Sequence, residues 1–127
     1  MNNENIKLGG NIQLTGFRSI DSSSMDILKK IIGNHAKRIS ELTKKPETLH
    51  ITLKLIHERE KSEKYEVHAK IVENGKVYAS ETTERNLLVA VDTVLKKIVN
   101  ELGKNYTYRI LGFTIFLKKW RRDMRSL

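Results

Sequence analysis

The sequence predicts an α+β fold: a two-layer sandwich with the order β-α-β-β-β-α, in which two helices cover one face of a four-stranded sheet. Two segments place apolar residues at helical spacing, and four short segments alternate apolar with polar residues. Because the links between the last three strands are short, these strands are expected to form an antiparallel meander. Each strand has one apolar face, so the sheet face opposite the helices should be open to water.

The first strand and the first helix are expected in the first third of the chain. Residues 11–20 alternate apolar with polar side chains up to Gly16, where the pattern breaks. Ser23 and Asp26 lie three positions apart in a cluster of helix-capping residues, which resembles a capping box. Pro46 ends the helical region at the latest, since proline cannot donate the next backbone bond. The helical stripe consists of Met25, Leu28, Ile31, Ile32, Ala36, Ile39 and Leu42.

The following strands show a period of two. Residues 49–55 and residues 65–71 alternate apolar with polar side chains, as strands with one buried face do. The Asn-Gly pair at residues 74–75 is a strong hairpin signal, because both turn positions favour residues that tolerate positive φ. This turn leads into a fourth strand with Val77 and Ala79 on one side.

The second helix is expected to begin near Thr82-Thr83 and to end near Gly103, which is placed as a C-terminal cap. The chain is expected to divide into a flexible N-terminus (1–10), a folded domain (11–105) and a C-terminal tail (106–127). The apolar stripe of this helix is Leu87, Leu88, Val91, Val94, Leu95, Ile98 and Leu102.

Composition favours a polyanionic partner. Lys and Arg number 24 against 15 Asp and Glu in 127 residues, which gives a net charge of +9. The absence of Cys excludes a disulfide scaffold and suits the cytoplasm, where we expect the protein. Residues 1–10 are polar, and the longest apolar run, residues 110–117, is far shorter than the ~20 residues of a membrane span, so no membrane partner is expected.

No enzyme is predicted. The sequence has no Gly-rich phosphate loop and no recognisable nucleophile with a base, so we expect no catalytic residue, no metal and no cofactor. Of the four histidines, His50 and His68 should share the open sheet face, but no carboxylate or thiol at ligand spacing joins them. A structural or enzymatic role of that face is the alternative, and a pocket lined by both histidines would favour it.

Basic residues are concentrated on the helices. Within the first helix and the turn after it, Asp26 and Glu41 are the acidic residues, so the charge is one-sided. If both helices pack on one sheet face, their outer surfaces should form a continuous basic ridge that binds phosphates. The alternative is a solvated surface that confers solubility only. The candidate RNA-binding residues of the ridge are Lys29, Lys30, Lys37, Arg38, Lys44, Lys45, Lys96, Lys97 and Lys104.

The tail is apolar first and basic afterwards. Its basic half surrounds one aromatic residue, a combination that can stack on bases and contact phosphates. A membrane-surface segment, a strand that docks on a partner, and an extra element of the core are the alternatives. The candidate RNA-binding residues of the tail are Trp120, Arg121, Arg122 and Arg125.

Particular residues of the domain resemble a known family. The opening segment, Asn11 to Gly16, and the Ala90-Val91-Asp92 step of the second helix are similar to the ribosome hibernation-promoting factor and ribosome-associated inhibitor family, and Lys97 falls where that helix commonly carries a lysine. The chain departs from the family at Asn86 and Leu88, where Asp and Tyr are frequent, and at Asn100-Glu101, which replaces an Arg-Gln pair.

The resemblance implies both a fold and a function. Members are small β-α-β-β-β-α proteins related in shape to double-stranded RNA-binding domains. They bind the small ribosomal subunit at its rRNA, between head and body, where mRNA and the A- and P-site tRNAs would lie. They inhibit translation during stress without chemistry. We therefore expect a short-form, divergent hibernation factor without the separate dimerisation domain. The alternative is a double-stranded RNA-binding protein with no ribosomal role.

Overall fold

The computed structural model describes residues 5–7, 11–43, 48–57 and 63–104. This part of the chain contains five strands and two helices. The strands are β1 (Asn5–Lys7), β2 (Ile12–Thr15), β3 (Leu49–His57), β4 (Glu63–Glu73) and β5 (Lys76–Glu84), and the helices are α1 (Ser22–Leu42) and α2, described over residues 87–104.

The strands form one mixed sheet in the order β1-β2-β3-β4-β5. β2 and β3 run parallel, which the intervening α1 makes possible, and the other neighbours are antiparallel. The four predicted strands, the two helices and the α+β class are thereby confirmed. β1 was not predicted: it lies within residues 1–10, expected to be flexible, and pairs with β2 at the sheet edge.

α1 begins two residues earlier than the capping box suggested. Asp21, in an extended conformation, is the N-cap, and its carboxylate accepts a hydrogen bond of 3.0 Å from the backbone N–H of Ser24. The prediction of a box formed by Ser23 and Asp26 was wrong, because both residues already lie inside the helix. An aspartate one position before the helix satisfies the same free amides of the first turn.

α2 also differs from the prediction at both of its expected limits. Thr82-Thr83 belong to β5, and Asn86 starts the helix instead: its side-chain oxygen accepts the N–H groups of Leu88 and Val89 at 2.9 and 3.2 Å. Gly103 is not a cap, since the helix continues to at least Lys104. The buried Leu102 holds this last turn, and a single helical glycine costs only about 1 kcal/mol.

Alternate residues of the strands point towards the helices. In β5 the buried hydrophobic residue of this layer is Tyr78, which pairs with Ile71 of β4, whereas Val77 and Ala79 share a face as predicted but lie on the open side. The tight turn at Asn74 and Gly75, both with positive φ, confirms the predicted hairpin and sets this register. The core between the layers includes Leu28, Ile32, Ile39, Leu49, Ile51, Leu53, Val67, Ala69, Ile71, Val91, Val94, Leu95 and Ile98.

Specific contacts fix the two helices. His35 of α1 and Asp92 of α2 are joined by a hydrogen bond of 2.7 Å, so the helices lie side by side. The Ser80 hydroxyl donates to the backbone carbonyl of Val94 at 2.7 Å and ties α2 to the edge strand β5. Neither helix, over the residues that the structure describes, is long and apolar enough to cross a membrane.

Candidate functional site

A row of lysines occupies the outward face of α1. Lys30 and Lys37 are seven residues apart, about two helical turns, and therefore project on the same side, opposite the buried Leu28 and Ile39. Lys29 lies on the flank of this row. All three lysines are exposed, and none forms an ion pair with the described residues. Lys29, Lys30 and Lys37 are called the α1 lysine row below, and they are available to a ligand.

The fourth predicted cation of α1 is already engaged. The Arg38 guanidinium donates to the Glu41 carboxylate at 3.1 Å, one turn further along the helix. Both side chains are exposed, so the pair is weak, about 1 kcal/mol or less. Arg38 can still exchange Glu41 for a phosphate, but its net charge is offset in the free protein.

The cations of α2 all have partners within the molecule. Lys96 lies 2.8 Å from the Asp92 carboxylate, and Lys104 lies 3.5 Å from that of Glu101. The amine of Lys97 donates to the backbone carbonyl of Glu81 in β5 at 2.9 Å. This bond places Lys97 on the side of α2 that faces the edge strand, away from α1.

The two helices therefore present different surfaces. Lys104 follows Lys97 by about two turns and so lies on the same side of α2. Lys96 is next to α1, because its partner Asp92 also binds His35. The structure thus brings Lys96 towards the α1 side and separates Lys97 and Lys104 from it. The candidates Lys44, Lys45, Trp120, Arg121, Arg122 and Arg125 lie outside the described residues.

Asp92 connects the helices electrostatically. A hydrogen bond from Lys96 and a smaller contribution from His35 hold the pKa of the Asp92 carboxyl below its ordinary value. Together they outweigh burial, which raises this pKa. His35 is mostly buried, with 17% of its side chain exposed. His35 is therefore a contact between the two helices. Asp92, part of the step that resembles the hibernation family, positions α2 against α1.

The open face of the sheet carries a depression of about 660 Å³. Both His50 and His68 line it, which is the observation that favours a role of this face. The strands align them: His50 is paired with Lys70, and Thr52 with His68, so the histidines are diagonal neighbours on β3 and β4. The remaining lining residues are Asn11, Thr48, Thr52, Ala69, Lys70, Val72, Ala79 and Ser80.

Two carboxylates flank His68, contrary to the expectation that none does. Glu66, two residues earlier on β4, lies 2.7 Å from one ring nitrogen, and Glu81, directly opposite on β5, lies 3.4 Å from the other. The sequence contained the signal. A two-residue turn at residues 74–75 sets 73 opposite 76, and counting back along the hairpin places Glu81 opposite His68.

Comparison with known proteins identifies the fold. No protein-family model matches the chain. No curated protein matches it by sequence. Among solved structures, a ribosomal subunit interface protein from Coxiella burnetii aligns with a TM-score of 0.53 and 17% identity, over 76% of this chain and 97% of that one. The N-terminal domain of Protein Y from Thermus thermophilus aligns with a TM-score of 0.46 and 14% identity, over 67% and 84% of the two chains. The fold implied by the resemblance to the hibernation family is confirmed by the first of these.

Proposed function

We propose that this protein is a ribosome-binding hibernation factor that occupies the decoding region of the small subunit and inhibits translation by steric occlusion. Its partners are the small subunit and its rRNA, its location is the cytoplasm, and its setting is stress. The α1 lysine row is the observation that carries the proposal. The proposal is supported by the fold that this chain shares with a ribosomal subunit interface protein. The alignment covers 97% of that protein's length.

The physical basis is phosphate binding by a preformed surface. Lys30 and Lys37 are held by a helix that packs firmly on the sheet, so their backbone positions need no ordering when a ligand binds. Each lysine that neutralises a phosphate releases counterions, which favours association with RNA. A folded domain held at the mRNA and tRNA path excludes both by its volume, and this mechanism needs no catalytic residue.

The C-terminal tail is proposed as a second RNA contact. Residues 106–127 contain six Lys and Arg but one acidic residue, Asp123, and they therefore carry more than half of the net charge of +9. Trp120 can stack on a base while Arg121, Arg122 and Arg125 contact phosphates. Truncation after Asn105 should then leave a folded, monomeric domain with weaker ribosome affinity. A truncated protein that unfolds or aggregates would instead assign the tail to the core.

The proposal is tested by sedimentation. The wild-type protein should travel with small subunits or whole ribosomes in a sucrose gradient, and the Lys30→Glu/Lys37→Glu variant should remain at the top. Lys54→Glu/Lys70→Glu is a matched control, since it reverses two exposed lysines on the open sheet face. Exposed substitutions change stability by about 0.5 kcal/mol or less, so both variants should keep a native circular dichroism spectrum.

Two outcomes contradict the proposal. If the α1 variant still sediments with ribosomes, the α1 lysine row is not the contact surface. If the wild-type protein binds duplex RNA but never travels with ribosomes, the alternative of a double-stranded RNA-binding protein is correct. Cryo-electron microscopy of a ribosome pull-down then locates the domain on the particle.

A further inference from the structure

The side chains of Glu66, His68 and Glu81 converge on the open sheet face. One ligand atom from each of the three residues can be chosen so that all lie within 4.8 Å of one another. The backbone explains this arrangement: Glu66 and His68 are alternate residues of β4 and share a face, while Glu81 is the cross-strand partner of His68. The cluster therefore depends on strand register and not on a flexible loop.

The donor set is that of a transition-metal site. One imidazole nitrogen and two carboxylate oxygens are ligands that Zn²⁺ accepts, and three protein ligands leave a position for water. Zinc bonds of about 2.0–2.2 Å in a tetrahedral arrangement separate the donor atoms by roughly 3.3–3.5 Å. The present separations, up to 4.8 Å, need only a modest contraction.

The exposed side chain of Glu81 can move to supply that contraction. The imidazole of His68 offers a cation one nitrogen at a time, so a bound ion replaces one of the two contacts that His68 now makes with the carboxylates. Glu81 is the freer of the two carboxylates: its side chain is 71% exposed, against 27% for that of Glu66. Its backbone stays in place, because the Lys97 amine holds the Glu81 carbonyl.

We propose that Glu66, His68 and Glu81 form a binding site for a divalent cation of the zinc class, which links β4 to the edge strand β5. The site borders the depression on the open face, since His68 belongs to both. The cation would add positive charge to a surface that also carries His50 and Lys70, and its free coordination position would accept water or an anionic oxygen. This site is independent of the α1 lysine row, which lies on the opposite layer.

Calorimetric titration of the full chain with zinc chloride tests the proposal. Wild-type protein should bind one ion, and His68→Ala should lower the affinity at least about tenfold, since even residues that only support metal ligands contribute 10–100-fold. Glu81→Gln should weaken binding as well, because an amide is a poorer zinc ligand than a carboxylate.

His50→Ala is the matched control. His50 is an exposed histidine that lines the same depression but is not part of the cluster, so its removal should leave zinc affinity unchanged. Cobalt added in place of zinc should give the absorption of a tetrahedral site with wild-type protein and with His50→Ala, and not with His68→Ala. Absence of binding to the wild-type protein, or equal affinity in wild type and His68→Ala, would show that the cluster is an ion pair only and overturn the proposal.

Discussion

α1 and α2 each expose three lysines, yet the two sets differ in what they can offer a ligand. Lys29, Lys30 and Lys37 of α1 form no ion pair with the described residues, whereas each lysine of α2 has a partner within the molecule. The number of basic residues on a helix is therefore a poor measure of available charge. The lysines available to a ligand therefore lie on α1, whereas the sequence predicted a ridge of available cations across both helices.

The difference has an energetic meaning. A phosphate that approaches α2 must compete with carboxylates already bound to Lys96 and Lys104, and with the Glu81 carbonyl at Lys97. Exposed ion pairs are worth about 1 kcal/mol or less, so this competition is not prohibitive. It nonetheless reduces the binding free energy gained from each phosphate contact on α2. The lysines of α1, in contrast, give up only water when they bind a phosphate.

Removing equal charge from each helix tests the difference between α1 and α2 most directly. Replacing Lys29, Lys30 and Lys37 together by Gln should weaken ribosome binding on the order of 100-fold, from about 1 kcal/mol for each of three contacts. Replacing the three α2 lysines by Gln should weaken it less than about tenfold. Equilibrium binding to purified small subunits measures both. Equal losses would mean that the ion pairs of α2 open freely and that the ridge spans both helices.

Some of this asymmetry could have been predicted from the sequence. Three partnerships, Asp92 with Lys96, Arg38 with Glu41 and Glu101 with Lys104, join residues three or four positions apart, which face each other on any helix. The bond from Lys97 to Glu81 and that from His35 to Asp92 could not, because they depend on how α2 packs on β5 and against α1.

The fold was more predictable than the site. Periodicity identified the four longer strands and both helices, since each buries one face and the period follows from backbone geometry. Helix starts were less predictable because several capping residues stand close together, and the choice of Asp21 over Ser23 depends on where β2 ends. The three-residue β1 was missed, as so short an edge strand has no room for a pattern.

The salt dependence of binding measures how many phosphates each helix contacts. The logarithm of affinity should fall linearly with the logarithm of salt concentration, by about 0.7–0.9 for each contact. The α1 triple Gln variant should therefore have a slope smaller by roughly 2–3 than the wild type, and the α2 variant a slope close to wild type. Replacing Arg121, Arg122 and Arg125 by Ala should also reduce the slope if the tail contacts RNA. A flat response of the wild-type protein would indicate an apolar, protein-directed interface.

The contact between the helices predicts a pH effect on stability. Hydrogen bonds from Lys96 and His35 lower the pKa of Asp92 in the folded state. The contribution of Asp92 to folding stability is therefore present above its unfolded pKa and is lost as pH falls through its folded pKa. Its side chain is 35% exposed, and after allowance for solvent screening the contribution is about 1 kcal/mol or less. Asp92→Asn should lower the free energy of unfolding at neutral pH and reduce its decline below about pH 4.

Glu41→Gln is the control for this measurement. Glu41 binds Arg38 within α1 and joins no second element in the described structure, so its loss should cost less than that of Asp92. Urea denaturation followed by circular dichroism between neutral and acidic pH compares the two variants. Equal effects would show that the link between α1 and α2 adds nothing to an ordinary surface pair.

The smallest expected effect concerns the start of α1, on which the lysine row depends for its support. Asp21→Ala removes the acceptor for the Ser24 N–H and should lower the melting temperature slightly, while Ser23→Ala, at the residue first predicted to cap the helix, should not. The hydrogen bond from Ser24 lowers the pKa of Asp21, so the benefit of the cap is present above the unfolded pKa and is lost as pH falls through the folded pKa. Asp21→Asn keeps a hydrogen-bond acceptor that does not ionise in this pH range. The variant should therefore retain the helix cap and lose the acid dependence of the cap. If Ser23→Ala proves the more damaging change, the helix begins where the sequence pattern placed it.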